Sequence, residues 1–175
     1  MLIRQAKNND LLHIGQVNVA VWQATYRGLI PDQLLDELSA KKQADGIKTF
    51  VNNKELLSFV LVAEDDKNII GYIIGGKQRG EENYQAEVYA IYVLQEHQHK
   101  GIGFRLIESA VYEFQKMNFT SLIIWGLKEN PYCRFYEKLG GKIVGTKKFH
   151  GTDLAAYGWD DMPGVSNPRR PFRRY

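Results

Sequence analysis

The stretch Glu87-Val-Tyr-Ala-Ile-Tyr-Val-Leu-Gln-Glu-His-Gln-His-Lys-Gly-Ile-Gly103 changes character twice within seventeen residues. Glu87–Val93 is rich in β-branched and aromatic residues and reads as a strand. A polar turn follows. Gly101 and Gly103 then open a helix that runs to Met117 and turns Leu106, Ile107, Ala110, Val111 and Phe114 inward at three- and four-residue spacing. A helix N-terminus carries unpaired N–H groups and about half a unit of positive charge. Glycines there let a ligand approach the backbone closely. The turn therefore has the makings of a pyrophosphate cradle, with Lys100 adding a full charge at the rim. Glycine pairs at helix starts are common, so the rest of the chain must decide what this one means.

Working outward, Leu122–Leu127 is a short apolar strand of the kind buried on both faces. The strand–helix–strand at 87–127 predicts a right-handed parallel crossover. Asn130–Leu139 reads as a helix stopped by Gly140-Gly141. Lys142–Phe149 and Leu154–Trp159 read as a hairpin around 150–153. Upstream, residues 2–6 read as a strand, and Asn8, Asn9 and Asp10 supply helix-start chemistry. Leu11–Tyr26 is an amphipathic helix through Ile14, Val17, Val21 and Trp22, broken by Gly28 and Pro31. Helices over Asp32–Leu38 and Lys41–Asn53 precede a hairpin of Leu57–Glu64 and Ile69–Gln78, turning at Asp65-Asp66-Lys67-Asn68. The class is α/β (α+β), with one parallel pair in a largely antiparallel sheet.

Composition limits the alternatives. The chain has 175 residues, 44% of them hydrophobic, enough for one domain over 1–162. A net charge of +3 suits an anionic ligand and does not point to nucleic acid. One cysteine, Cys133, rules out an internal disulfide, and the four histidines have no zinc spacing, so no metal is expected. No apolar run approaches the roughly 18–20 residues that span a bilayer. The N-terminus lacks a signal-peptide pattern, and a cytoplasmic location is the expectation. Residues 163–175 form a tail with four arginines and three of the five prolines, which cannot bury a core. It reads as a solvated segment or as an arm that docks on the body or on a second copy in a homodimer.

Gln98, Gly101 and Gly103 meet the Gln/Arg-x-x-Gly-x-Gly/Ala signature of the GNAT acetyltransferases, and Ile91-Tyr92-Val93 resembles the hydrophobic strand that precedes it. Asn130-Pro-Tyr-Cys-Arg-Phe-Tyr-Glu-Lys-Leu-Gly140 resembles that family's Asn-x-x-Ala-x-x-Phe-Tyr-x-x-x-Gly helix, with Cys133 where alanine is common and Gly141 where phenylalanine often follows. Trp22-x-x-x-Tyr26-x-Gly28-Leu-Ile-Pro31 is similar to the first-helix region of bacterial members. Rossmann proteins are excluded by order, since their glycine motif follows the first strand, and position 106 here is leucine.

The resemblance implies a mixed, mostly antiparallel central sheet with one splayed parallel pair and helices on both faces. It implies acetyl-CoA as co-substrate and transfer of acetyl to a primary amine by direct attack in a ternary complex. The backbone of Ile91, Tyr92 and Val93 would pair with the pantetheine arm. Gln98, His99, Lys100, Gly101, Ile102 and Gly103 would hold the pyrophosphate, and Asn130 would bond the arm. Tyr136 would sit near the sulfur. A thiol has a pKa of about 8.5 and tyrosine about 10, so this phenol can protonate the leaving thiolate. The Val93 N–H would bond the acetyl oxygen. Glu87, six residues before Val93, matches the catalytic glutamate of the histone-acetylating branch and is the candidate base, with an ion-pairing or substrate-binding residue as the alternative. Tyr26 is a candidate for the acceptor pocket; Glu81 and Glu82 would attract a cationic amine.

The acceptor is a small amine (polyamine, amino acid or aminoglycoside) or a protein N-terminus or lysine. The rival function is a catalytically inactive coenzyme A-binding sensor or regulatory domain. Two further patterns carry no chemistry. Gly71-x-x-x-x-Gly76-Lys77 lacks the Ser or Thr of a phosphate-binding loop and lies in a strand. Cys133 has no histidine beside it in sequence and reads as packing.

Overall fold

The computed structural model describes residues 1–80, 82–149 and 151–162. Glu81 and the tail at 163–175 lie outside the described residues. In chain order come β1 (Leu2–Gln5), α1 (Leu11–Tyr26), α2 (Asp32–Asp36), α3 (Ala40–Val51), β2 (Phe59–Asp65), β3 (Asn68–Lys77), β4 (Ala86–Val93), α4 (Ile102–Lys116), β5 (Leu122–Leu127), α5 (Arg134–Lys138), β6 (Lys142–Phe149) and β7 (Thr152–Trp159). The strands form one sheet in the order β1-β2-β3-β4-β5-β7-β6. Only β4 and β5 are parallel; the other neighbours run antiparallel.

The amphipathic patterns explain the two layers. α4 buries Leu106, Ile107, Ala110, Val111 and Phe114 on one face of the sheet. α1 and α3 bury Ile14, Val17, Val21 and Ile47 against Val60, Val62, Tyr72 and Ile74 on the other. Full burial of one such aliphatic side chain contributes about 1.5–3 kcal/mol. The entry to α1 is tied down by charge. Asp10 accepts from the Lys7 N–H and from Arg4 Nη1, each at 2.6 Å, and Arg4 Nε reaches Glu64 Oε2 at 2.7 Å.

The structure departs locally from the sequence reading in three places. The helix expected over Asn130–Leu139 is a 3-10 turn, Pro131–Cys133, followed by α5. Leu57 has φ 47°, which ends a 3-10 turn at Lys54–Leu56 and delays β2 to Phe59. Gln95–His97 adds another 3-10 turn between β4 and the glycines.

The feature that positions the site is a splay. β4 and β5 pair over only three residues each, Ala86–Val88 with Leu122–Ile124. The next β4 residue, Tyr89, has no partner in β3, because the register shifts there: Val88 faces Gly75 and Ala90 faces Ile74. A bulge bends its strand and increases the local twist. Beyond it β4 stays with β3, β5 stays with β7, and a gap opens between them.

Candidate active site

The β4 wall of the gap is backbone. Leu94 N–H donates to Ile70 O of β3 at 2.9 Å, so strand alternation turns the Val93 N–H and C=O, and those of Ile91, toward the gap. The Val93 carbonyl is taken by Gln98 Nε2 at 2.9 Å. That bond folds the turn under the strand end and leaves the amides of Ile91 and Val93 facing the opening. Gln98 thus acts by shaping the turn.

At the gap's mouth the turn enters α4. His99 has φ 59° and Gly101 φ 77°, both left-handed, and Gly101 is the residue that caps the helix. A left-handed backbone costs a residue with a β-carbon about 1–2 kcal/mol, which explains the glycine. The first helical bond runs from Arg105 N–H to Gly101 O at 3.1 Å, so the N–H groups of Ile102 and Gly103 are the orphan donors of the helix start. Lys100 Nζ folds back on Glu96 O at 2.9 Å and remains exposed. Gly103 lies beside Phe135, where an added β-carbon would make an ordinary contact at 3.6 Å. That tolerance fits the Gly/Ala choice in the signature.

The β5 side of the gap carries Tyr136, on the same face as α4. Its ring packs against Tyr157 at 5.3 Å and Phe135 at 5.6 Å between centroids. Gly126 makes room behind it: a β-carbon there would stand 2.6 Å from Cys133 Sγ and 3.6 Å from Tyr136 Cε2. Burial, followed by the nearby Cys133, Tyr92 and Tyr157, pushes the Tyr136 phenol well above the ordinary tyrosine range. Burial likewise pushes the Cys133 thiol up to about 11, and Sγ donates to Leu127 O at 3.2 Å. A protonated, hydrogen-bonded thiol is a packing group and a poor nucleophile. Asn130 Oδ1 accepts from Tyr132 N–H at 3.0 Å, so its NH2 is what it retains for a ligand.

The opposite face of the gap is aromatic. Tyr26 ends α1, and Trp22, Tyr26 and Tyr92 are all half-buried. Burial, followed by the neighbouring Tyr92 hydroxyl, raises Tyr26, with Tyr136 and Cys133 contributing. Side chains from both faces therefore meet at the opening, which a continuous sheet would forbid. Beyond Tyr26 a cavity of about 490 Å³ lies between residues 28–32, Glu129 and the Gly151-Thr152 turn. Glu129 and Thr152, joined by a 3.1 Å hydrogen bond, had no signal in the sequence that could mark them, because the cavity is made by loops remote from one another in the chain.

Glu87 stands apart from this constellation. It lies in the paired part of β4, opposite Ile123, and is buried. Arg79 donates to it from Nη2 at 2.7 Å, from Nε at 3.1 Å and from its backbone N–H at 3.2 Å. The guanidinium lies over the Tyr89 ring at 4.1 Å. Six extended residues span about 20 Å, so Glu87 and Val93 are at opposite ends of the strand. Glu82 accepts from Gln78 Nε2 at 2.6 Å in the loop at the closed end. Among the described residues no group of three or more His, Cys, Asp or Glu side chains is placed to hold a metal ion, and no helix is long and apolar enough to cross a membrane.

Comparison with known proteins agrees with this arrangement. The family model described as "Acetyltransferase (GNAT) family" matches residues 21–141. An uncharacterised N-acetyltransferase of Bacillus subtilis, YuaI, is 32% identical over 169 residues, covering 93% of this chain and 95% of that protein. The PaiA N-acetyltransferase of Thermoplasma acidophilum, solved in complex with coenzyme A, superposes with a TM-score of 0.71 at 22% identity, covering 90% of this chain and 98% of that one. An N-acetyltransferase from Staphylococcus aureus Mu50 gives 0.70 at 22% identity, over 91% and 97%. The splayed sheet, the glycine-capped turn and these matches together place the chain in the GNAT acetyltransferase family, as an N-acetyltransferase.

Proposed function

We propose that this protein transfers acetyl from acetyl-CoA to the primary amine of a small molecule, by direct attack while both substrates are bound. The observation that carries the reading is the gap between β4 and β5, with strand amides along one wall and, at its mouth, a helix start capped by Gly101 with no side-chain hydrogen bond. In this reading the N–H groups of residues 99–103 take the pyrophosphate and Lys100 swings from Glu96 to its rim. The backbones of Ile91 and Val93 and the Asn130 amide align the pantetheine arm; the Tyr92 backbone, expected to join them, instead faces Tyr72 of β3. The Val93 N–H takes the carbonyl oxygen as it becomes an oxyanion, where such a donor contributes a factor of about 10²–10³.

Tyr136 protonates the leaving thiolate. Its high pKa does not disqualify it, because the thiolate leaves into the same desolvated surroundings. Burial that penalises a phenolate also penalises a thiolate, as the shift of Cys133 to about 11 illustrates. We assign Glu87 to anchoring Arg79, and the ammonium loses its proton to water before attack. The acceptor enters by the cavity beside Tyr26. Glu129 on its rim, with Asp32 already paired to Arg27, favours a cation, hence a polyamine, amino acid or aminoglycoside over a bulky protein chain. We place the protein in the cytoplasm, and the homodimer remains part of this reading, checked by light scattering.

Thiol release from acetyl-CoA with a panel of spermidine, L-alanine, kanamycin and an alanine-starting peptide tests the reading. Turnover on a small amine is expected. Coenzyme A binding without turnover on any amine would establish the sensor function instead.

A further inference from the structure

On the face of the gap opposite Tyr136, α1 presents Asn18, Trp22 and Tyr26. Their four-residue spacing stacks them in one stripe along the helix. The stripe lies against Tyr72 of β3 and Tyr92 of β4. Asn18 Nδ2 donates to the Tyr72 hydroxyl at 2.7 Å. The Tyr72 and Tyr92 rings lie 5.6 Å apart, Tyr92 lies 6.5 Å from Trp22, and Trp22 meets Tyr26 edge to face at 5.0 Å. Tyr92 is thus braced from below and from the side.

The same seam holds a buried polar atom without a hydrogen-bond partner, Asn18 Oδ1, and a half-buried indole N–H, that of Trp22, turned toward the Tyr92 hydroxyl. An unpartnered atom of this kind costs about 1–3 kcal/mol, and Val17 and Val21 on the same helix show that apolar residues fit this layer. Retaining polar groups at that cost points to a task beyond packing.

Position gives the task. Tyr92 is beyond Val88, where β5 no longer lies alongside β4. The α4 face of the opening is filled by Tyr136, Cys133 and Phe135. An amine entering past Tyr26 therefore meets the Tyr92 side chain as it nears the strand amides. We propose that the Tyr92 hydroxyl, braced by Tyr72 and by the stripe on α1, accepts a hydrogen bond from the acceptor N–H and holds the nitrogen lone pair on the thioester carbon. This rests on the acetyl-transfer reading above. Burial raises the Tyr92 phenol, with hydrogen bonding from Tyr26 and Trp22 opposing the rise, so it is neutral at pH 7 and its oxygen serves as an acceptor on this seam. No bond to Tyr92 forms or breaks. The C–N bond forms to give the oxyanion, the C–S bond then breaks with Tyr136 protonating the sulfur, and the amine proton leaves to water, from which Tyr136 is reprotonated. A primary amine suits this arrangement, because it keeps an N–H for Tyr92 after deprotonation.

The test uses the full chain and the best amine of the panel above. Tyr92→Phe, Tyr26→Phe and the double variant are compared with wild type for kcat and KM of each substrate and for coenzyme A affinity by calorimetry. Tyr92→Phe should lower kcat/KM for the amine by roughly 10–100-fold, the size of one hydrogen bond to a polarised group, while coenzyme A affinity stays within about twofold. Tyr26→Phe should lose less. The double variant should be no worse than Tyr92→Phe, because Tyr26 acts through Tyr92. An unchanged kcat/KM for the amine in Tyr92→Phe would overturn the inference while leaving acetyl transfer intact. Losses that multiply in the double variant, or a matching loss of coenzyme A affinity, would also overturn it. Absence of wild-type turnover on every amine would sink the transfer reading itself.

Discussion

Arg79 grips both carboxylate oxygens of Glu87, Nη2 at 2.7 Å from Oε1 and Nε at 3.1 Å from Oε2, while its guanidinium carbon lies 4.1 Å from the centre of the Tyr89 ring. A carboxylate held by three donors serves an ion pair better than it serves proton abstraction. Tyr89 is also the bulge residue at which β4 leaves β5, so the pair braces the hinge of the splay. Glu87→Gln should therefore lower stability by about 1–2 kcal/mol; the fully buried figure would be larger, but the Arg79 side chain is 44% exposed and can be hydrated. Urea titration measures that loss. kcat should survive within a few-fold; a hundredfold loss, greatest at low pH where the amine is protonated, would restore Glu87 as the base.

Gly101 tests the coenzyme cradle. At φ 77° valine strains the turn by about 1–2 kcal/mol, and its branched side chain stands where the pyrophosphate approaches. Gly101→Val should weaken coenzyme A binding by at least tenfold in calorimetry while the fold, followed by circular dichroism, persists. Unchanged affinity in a folded variant would move the pyrophosphate elsewhere.

Cys133 and Gly126 share one small space. Cys133→Ala should keep turnover, since the thiol is protonated and bonded to Leu127 O. Gly126→Ala should destabilise by about 1–3 kcal/mol, because the new methyl meets Cys133 Sγ at 2.6 Å. Combining the two should recover most of that loss in thermal melts. Trapping an acetylated Cys133 by mass spectrometry, together with inactive Cys133→Ala, would replace direct transfer with a covalent intermediate.

How much of this was legible in the sequence depends on the range of the interaction. Leu11–Tyr26 and Leu122–Leu127 have the expected bounds because periodicity and breakers act locally. The parallel β4–β5 pair follows from the intervening helix. The bulge at Tyr89 was not legible: no glycine or proline marks it within β4, and it exists only in register with β3. Pro131 was visible, but the shortening of the next helix to Arg134–Lys138 was not read from it. The pairing of Arg79 with Glu87 and the meeting of Tyr92 with the α1 stripe depend on loop paths and helix placement. Motifs named the coenzyme side of the site because backbone amides are addressed by short local patterns. The acceptor side is assembled from side chains far apart in the chain.

Asp10 gives a pH test independent of catalysis. Its hydrogen bond from Arg4 outweighs burial and holds the carboxyl below its ordinary range in the folded protein. A depressed folded-state pKa contributes stability that is present above the unfolded value, near 3.9, and is lost as pH falls through the folded value. Asp10→Asn should lower the melting temperature at pH 7 and leave a shallower loss below about pH 4. Equal slopes for both proteins on the acid side would show that Asp10 is not the group responsible.

Tyr136→Phe addresses the chemical step. It removes one hydroxyl and keeps the ring contacts with Tyr157 and Phe135, so coenzyme A affinity should barely change. If the hydroxyl protonates the thiolate, kcat should fall by roughly 10²–10⁴ in conditions where chemistry limits the rate. Because burial raises the phenol, its proton stays in place through the pH at which an ordinary tyrosine ionises, about 10. The wild type should therefore show no alkaline fall in kcat from this group below about pH 10. An acetyl donor whose thiol has a lower pKa needs less protonation, so it should narrow the gap between variant and wild type. A Tyr136→Phe enzyme with wild-type kcat for both donors would leave α5 with coenzyme positioning alone, and the thiolate would have to take its proton from water.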